Sequence, residues 1–283
     1  SWHPSFDMGM AAVYGRGKPN SANRQRTRMP YESSVMKKQA LSMLLVCSVL
    51  SSLAAFGSAA EPGVPEGFRH AKPGAVFRIL AVKWNSWADA DAIEKACQTL
   101  ATLPENVPGV VDVSWGKNNS PEPHSRGFQN CFIATFENKA ALDAFARDRR
   151  YAELENQIRD LTDDGICVDV VSDKEHTWYD GQVKHVVLFK YKWDAKDEQI
   201  AATANAFKGL PMKVPGVCDF LSGVNAGPAD LSQGLDHVFV VTFENETRRD
   251  EYLPHPAHAA FGKVLGPIFN EVFVIDFTVV PRG

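Results

Sequence analysis

The chain has 283 residues, a formal net charge of −4 at neutral pH and 45% apolar residues, enough to bury a substantial core. Residues 1–60 hold Arg16, Lys18, Arg24, Arg26, Arg28, Lys37 and Lys38 against Asp7 and Glu32, a net of +5, which leaves −9 on the other 223 residues. An acidic body without a basic run argues against nucleic acid as a partner, because phosphate neutralisation supplies most non-specific affinity.

Residues 1–35 are polar, rich in arginine and glycine, and show no apolar period, so they read as a disordered or non-native leader. From Met36 two lysines precede an apolar run, Leu41 to Phe56, and small residues follow to Ala60, the order of a signal peptide over 36–60. The run is shorter than the ~20 residues of a membrane span, which makes a retained anchor the weaker alternative. The expected location is therefore periplasmic or extracellular, without membrane contact once the signal is removed.

Beyond residue 60 the chain matches itself at an offset of 107: LPENVPGVVD (103–112) lies over LPMKVPGVCD (210–219), and CFIATFEN (131–138) over VFVVTFEN (238–245). Gly116 falls on Gly223, Asn118 on Asn225, Gly127 on Gly234 and Asp169 on Asp276. Such a register implies two copies of one module, over 74–172 and 183–280, joined by a linker at 173–182. Within each copy VFRILAVKW (76–84) and VKHVVLFKY (183–191) read as buried first strands. Ala90–Leu100 and Asp197–Phe207 have helical apolar spacing, a second strand starts after VPGV, and HVFVVTFE (237–244) is a third. A second helix is expected over 257–269 and EVFVIDFTV (271–279) is the fourth strand. The order β-α-β-β-α-β is ferredoxin-like, so the fold class is α+β.

Alternation along 183–191 sends His185, Val187, Phe189 and Tyr191 one way and Val186 and Leu188 the other. One face meets the helices. The other needs a second sheet, and the pairing of the two repeats, sheet to sheet, into a barrel-like core supplies it. In the strand order fourth, first, third, second, Cys131 and Cys167 lie on either side of the first strand, ~10 Å apart and beyond disulfide reach. Cys97, Cys131, Cys167 and Cys218 are thus expected as free thiols serving as small core hydrophobes.

With VKHVVLFK (183–190), VPGV, TFEN and YLPHPAH (252–258), the second repeat resembles the stress-responsive A/B barrel (Dabb) family, and the first resembles it more weakly. The resemblance implies a dimeric α+β barrel, here built from two halves of one chain, with a further oligomer left open. The family includes plant stress proteins and a polyketide cyclase that performs an aldol condensation without a cofactor. Carried over by motif, that chemistry falls on Tyr252 and His258, with His185 and His255 completing a ligand-binding set. The first repeat has Arg78, Phe145, Asp148 and Tyr151 at the positions of His185, Tyr252, His255 and His258, so its own site is lost.

The residue chemistry fits a site. Pro256 suits a helix start, which puts His258 in the first turn, where the helix dipole disfavours imidazolium. A neutral His258 accepts a proton while Tyr252 donates to a carbonyl oxygen. The bland alternative pairs Tyr252 and His258 with backbone or with each other and leaves His255 in a solvated turn. His255 and His258 form an H-x-x-H pair, yet no acidic or cysteine ligand stands near, so no metal is assigned. No phosphate-binding glycine loop, Gly-x-Ser-x-Gly or Cys-x-x-Cys occurs, and no cofactor is assigned. His70, His124 and His176 fall in loop-like sequence and receive no role. Two functions are expected: an exported barrel that binds a small hydrophobic or carbonyl-containing molecule, or a cofactor-free enzyme with cyclase-like aldol or small-monooxygenase chemistry.

Overall fold

The β-branched and aromatic run VFRILAVKW forms strand β2 (Val76–Trp84), and its counterpart VKHVVLFKY forms β7 (Val183–Tyr191). The structure, a computed structural model, describes residues 67–282; the proposed leader and signal peptide lie outside them. Around β2 the first repeat adds β1 (Arg69–Ala71), α1 (Ala90–Ala101), α2 (Leu103–Asn106), β3 (Val110–Lys117), β4 (Asn130–Phe136), α3 (Lys139–Ala146), α4 (Arg149–Leu161) and β5 (Thr162–Val171). The second adds β6 (His176–Trp178), α5 (Asp197–Lys208), β8 (Val217–Val224), β9 (His237–Phe243), α6 (Glu246–Tyr252), α7 (Pro256–Leu265) and β10 (Phe269–Thr278). The sheets run β3-β4-β2-β5 and β10-β7-β9-β8, the ferredoxin-like order in each copy.

Alternation on the central strands sorts the core into three layers. Ile79 and Ala81 from β2 meet Val186 and Leu188 from β7 in the layer between the sheets. Val76, Leu80 and Val82 face the first repeat's helices, and Val183, Val187 and Phe189 face those of the second. The sheets also join at their edges. A Cβ on Gly116 would lie 2.4 Å from the Thr278 carbonyl oxygen, and one on Gly223 would lie 2.6 Å from a Val170 methyl. Only glycine permits the approach of β3 to β10 and of β8 to β5. The loops that follow, 118–129 and 225–236, cross onto the opposite repeat: Asn119 and Ala226 donate backbone N–H bonds to the Asp276 and Asp169 carbonyls at 2.9 and 2.8 Å.

Four sequence expectations change. The stretch 173–182 holds β6, which pairs antiparallel with β1, and that strand lies before residue 74. His70 and His176, read as loop residues, lie on β1 and β6, and His176 is buried and bonds Asp219 at 2.6 Å. The helix expected over 257–269 forms as α7 but ends at Leu265, and a further helix that was not expected, α6, precedes it: Asn245 caps α6 by accepting the Arg248 N–H, and Pro254 and Pro256 separate it from α7. Asn138 caps α3 in the same way. The four cysteines are free, but Cys218 is exposed rather than core, since it stands at a register shift between Val217 and Asp219 on edge strand β8.

Candidate functional site

The alternation that buries Val187 and Phe189 under the helices also carries His185 to that layer, where it is 1% exposed. Its Nδ1–H donates to Asp276 Oδ1 at 2.8 Å, across the β7–β10 register that sets the two residues opposite each other. Arg249 of α6 donates to the other Asp276 oxygen at 2.9 Å and to the Asn119 carbonyl and side-chain oxygens at 3.2 and 3.3 Å. Asp276 is fully buried, and burial would raise its pKa, but His185 and Arg249 hold it below the usual carboxylate range. Burial disfavours the His185 imidazolium as well, yet the Asp276 carboxylate outweighs it and lifts the histidine above its ordinary value.

Tyr252, the last residue of α6, packs its ring 5.8 Å from that of His185 and 4.6 Å from that of His258. It is fully buried, and its hydroxyl has no hydrogen-bond partner among the described residues. Burial pushes the phenol pKa well up, so it stays protonated and able to donate. His258 is half-buried in the first turn of α7 and its Nδ1 lies 2.9 Å from the Leu253 carbonyl. A carbonyl only accepts, so Nδ1 carries the proton and Nε2 keeps its lone pair, with no hydrogen-bond partner among the described residues. Burial lowers the His258 pKa, and the neighbouring His185 adds to it. His255 is different: its Nδ1 accepts the Ala257 N–H and caps α7. The fold therefore brings His185, Tyr252 and His258 together and uses His255 at the helix start.

A fourth group arrives from the first repeat. Loop 118–129 places Glu122 Oε2 3.9 Å from His185 Nδ1, buried and without a hydrogen-bond partner among the described residues. Sequence reading missed Glu122, Asp276 and Arg249. The match of Asp169 with Asp276 was the available signal for one of them, whereas Glu122 has Ala229 at the matching position and no motif around it.

The cavities lie away from this cluster. Of the two cavities characterised, one of about 20 Å³ lies between the sheets beside Lys184, Asp219 and Thr242, and one of about 460 Å³ lies between α1, β3 and β10. Neither is lined by His185, Tyr252, His255 or His258.

The same place in the first repeat is closed by charge. Arg78 Nε and Nη2 each donate to Asp169 at 2.7 Å, a bidentate pair, and Arg78 also bonds the Tyr151 hydroxyl. Phe145 packs 4.0 Å from the Tyr151 ring.

The family model described as Stress responsive A/B Barrel Domain matches residues 76–172 and 183–279. The chain belongs to this family. Among similar Dabb proteins, a stress-response A/B barrel domain-containing protein of Arabidopsis thaliana is 32% identical over 34% of this chain and 89% of its own length. The olivetolic acid cyclase of Cannabis sativa is 27% identical over 34% of this chain and 95% of its own length. A solved Fusobacterium nucleatum structure, described as that of a suspected monooxygenase, covers 74% of this chain and 94% of its own with a TM-score of 0.51 at 8% identity, a likeness of fold alone. Its span over both repeats agrees with the two Dabb modules forming one ferredoxin-like pair.

Proposed function

We propose that the second Dabb repeat binds a small hydrophobic molecule bearing a carbonyl group at His185, Tyr252 and His258. The observation that carries this reading is the Tyr252 hydroxyl, fully buried and unpartnered. A buried hydroxyl without a partner costs about 1–3 kcal/mol, and a ligand carbonyl would accept its hydrogen bond. The apolar body of the ligand would rest against the aromatic layer of Phe243, Phe261 and Phe189 under the helices. Tyr252 is fully buried, so a ligand reaches it only if the surrounding side chains give way.

A second reading adds turnover. His258 is neutral and offers the Nε2 lone pair next to Tyr252, the pairing of base and hydrogen-bond donor that abstraction of a proton beside a carbonyl requires. The resemblance to a protein named as a cyclase favours aldol-type chemistry without a cofactor. In either reading the protein acts outside the cytoplasm, as the 36–60 segment implies, and N-terminal sequencing of the mature protein checks that step.

Native mass spectrometry of the purified protein tests the binding. A co-purifying hydrophobic molecule should be present in the wild type and lost in Tyr252→Phe and His258→Ala while both variants keep the wild-type circular dichroism. Retention of the same adduct in both variants would remove these residues from the site.

A further inference from the structure

Glu122 comes from the first repeat, and nothing in the resemblance to known proteins assigns it a role. Three observations bear on it. Its Oε2 is buried, lacks a hydrogen-bond partner among the described residues and lies 3.9 Å from His185 Nδ1, whose proton is already given to Asp276. The loop that carries it is pinned to the second repeat by backbone bonds from Asn119 to Asp276 at 2.9 Å and from Val274 to His124 at 3.2 Å, so its backbone is held beside His185. Its charge acts on His185, Tyr252 and His258 alike, which places it within electrostatic reach of the whole cluster.

The two unpartnered atoms differ in kind. The Tyr252 hydroxyl donates, whereas the Glu122 carboxylate only accepts. A molecule satisfying both offers an acceptor to one and a donor to the other. We propose that Glu122 is a specificity-determining residue supplied in trans by the first repeat, selecting carbonyl ligands that also bear a hydroxyl group and rejecting carboxylates. This rests on the reading of Tyr252 and His258 as the ligand site. In the matching place of the other half, Ala229 offers no such group and Arg78 already occupies Asp169, so the selection is one-sided.

The test uses three probes of one shape, para-hydroxyacetophenone, acetophenone and para-acetylbenzoate, with dissociation constants read by ligand-observed NMR on the full protein. The wild type should bind the hydroxy compound about tenfold more tightly than acetophenone, the worth of a hydrogen bond to a charged acceptor, and the acetylbenzoate least. Glu122→Ala should bring the ratio between the first two close to one and Glu122→Gln should shrink it, both with acetophenone binding retained. Tyr252→Phe should weaken all three and keep the ratio. If Tyr252→Phe weakens the probes but both Glu122 variants leave the ratio unchanged, as when a water satisfies Oε2, the role of Glu122 falls and the site stands. If Tyr252→Phe and His258→Ala leave every constant unchanged, the site reading falls first. Absence of binding by all three probes to the wild type overturns both.

Discussion

Arg78 and His185 stand at the same position of two repeats, each opposite an aspartate on the fourth strand, and they do different things with it. Arg78 takes both Asp169 oxygens in a two-pronged bond, reaches Tyr151 as well and leaves that place closed. His185 takes one oxygen of Asp276, Arg249 takes the other, and around them Tyr252 and Glu122 are left with unspent bonding capacity. One arrangement is a strut and the other a site in waiting. Full satisfaction of buried polar groups gives rigidity, and incomplete satisfaction gives a place for a ligand at some cost in stability.

The contrast can be broken most sharply at its strut. Arg78→Ala leaves Asp169 buried without its bidentate partner, which should cost about 3–5 kcal/mol, seen as a melting temperature lower by on the order of 10 °C. His185→Ala should cost less, about 1–2 kcal/mol, because Arg249 still neutralises Asp276. Equal losses in thermal melts of the two variants would mean that the repeats are held in the same way.

The seams come next. Gly116→Ala drives a methyl into the Thr278 carbonyl oxygen and should cost about 1–3 kcal/mol in denaturant melts, with Gly223→Ala milder because Val170 presents a side chain that can turn. The reverse ranking would show that the two edges are not equivalent in the way their geometry states.

Tyr252→Phe should move stability the other way. Removing an unpartnered buried hydroxyl should raise it by about 1 kcal/mol, whereas Tyr151→Phe in the first repeat should lower it, since that hydroxyl is bonded by Arg78. A stability loss in Tyr252→Phe would reveal a partner for the phenol.

Smallest, and confined to the second repeat, is a pH effect. The folded pKa of His185 lies above its unfolded value of about 6.5, so its contribution is complete below that pH and is lost as pH rises through the folded value. The folded pKa of His258 lies below it, so stability is lost as pH falls under about 6.5 and the unfolded chain takes up the proton more readily. Urea melts across this range should show a shallower acid-side decline in His258→Gln and a shallower alkaline-side decline in His185→Gln. No change of slope in either variant would separate these groups from the titration.

Much of this was legible beforehand, for identifiable reasons. The offset of 107 and the alternation along VKHVVLFKY gave the paired modules, the strand order and the two faces, because strand periodicity and burial are local properties of a sequence. His185, Tyr252 and His258 came from one short motif and a strand position, and they meet in space. The start of α7 was readable from Pro256, whereas α6 was missed although Asn245 marks its cap, because the charged run ETRRDEY shows no apolar period. Glu122 was not readable at all. It reaches His185 only because a loop of one repeat lies over the edge of the other, a contact with no trace in the residues around it.

That crossing of loops bears on how such a protein can diversify. In a homodimer every substitution appears twice, once on each side of the axis, so a loop that improves one site alters the other as well. Joining the two copies in a single chain removes that bond. Loop 118–129 serves the second repeat and loop 225–236 serves the first, so each half carries the piece that finishes its neighbour's surface. The half that has lost its own histidines is then free to change the chemistry next door, residue by residue, without altering the residues that perform it.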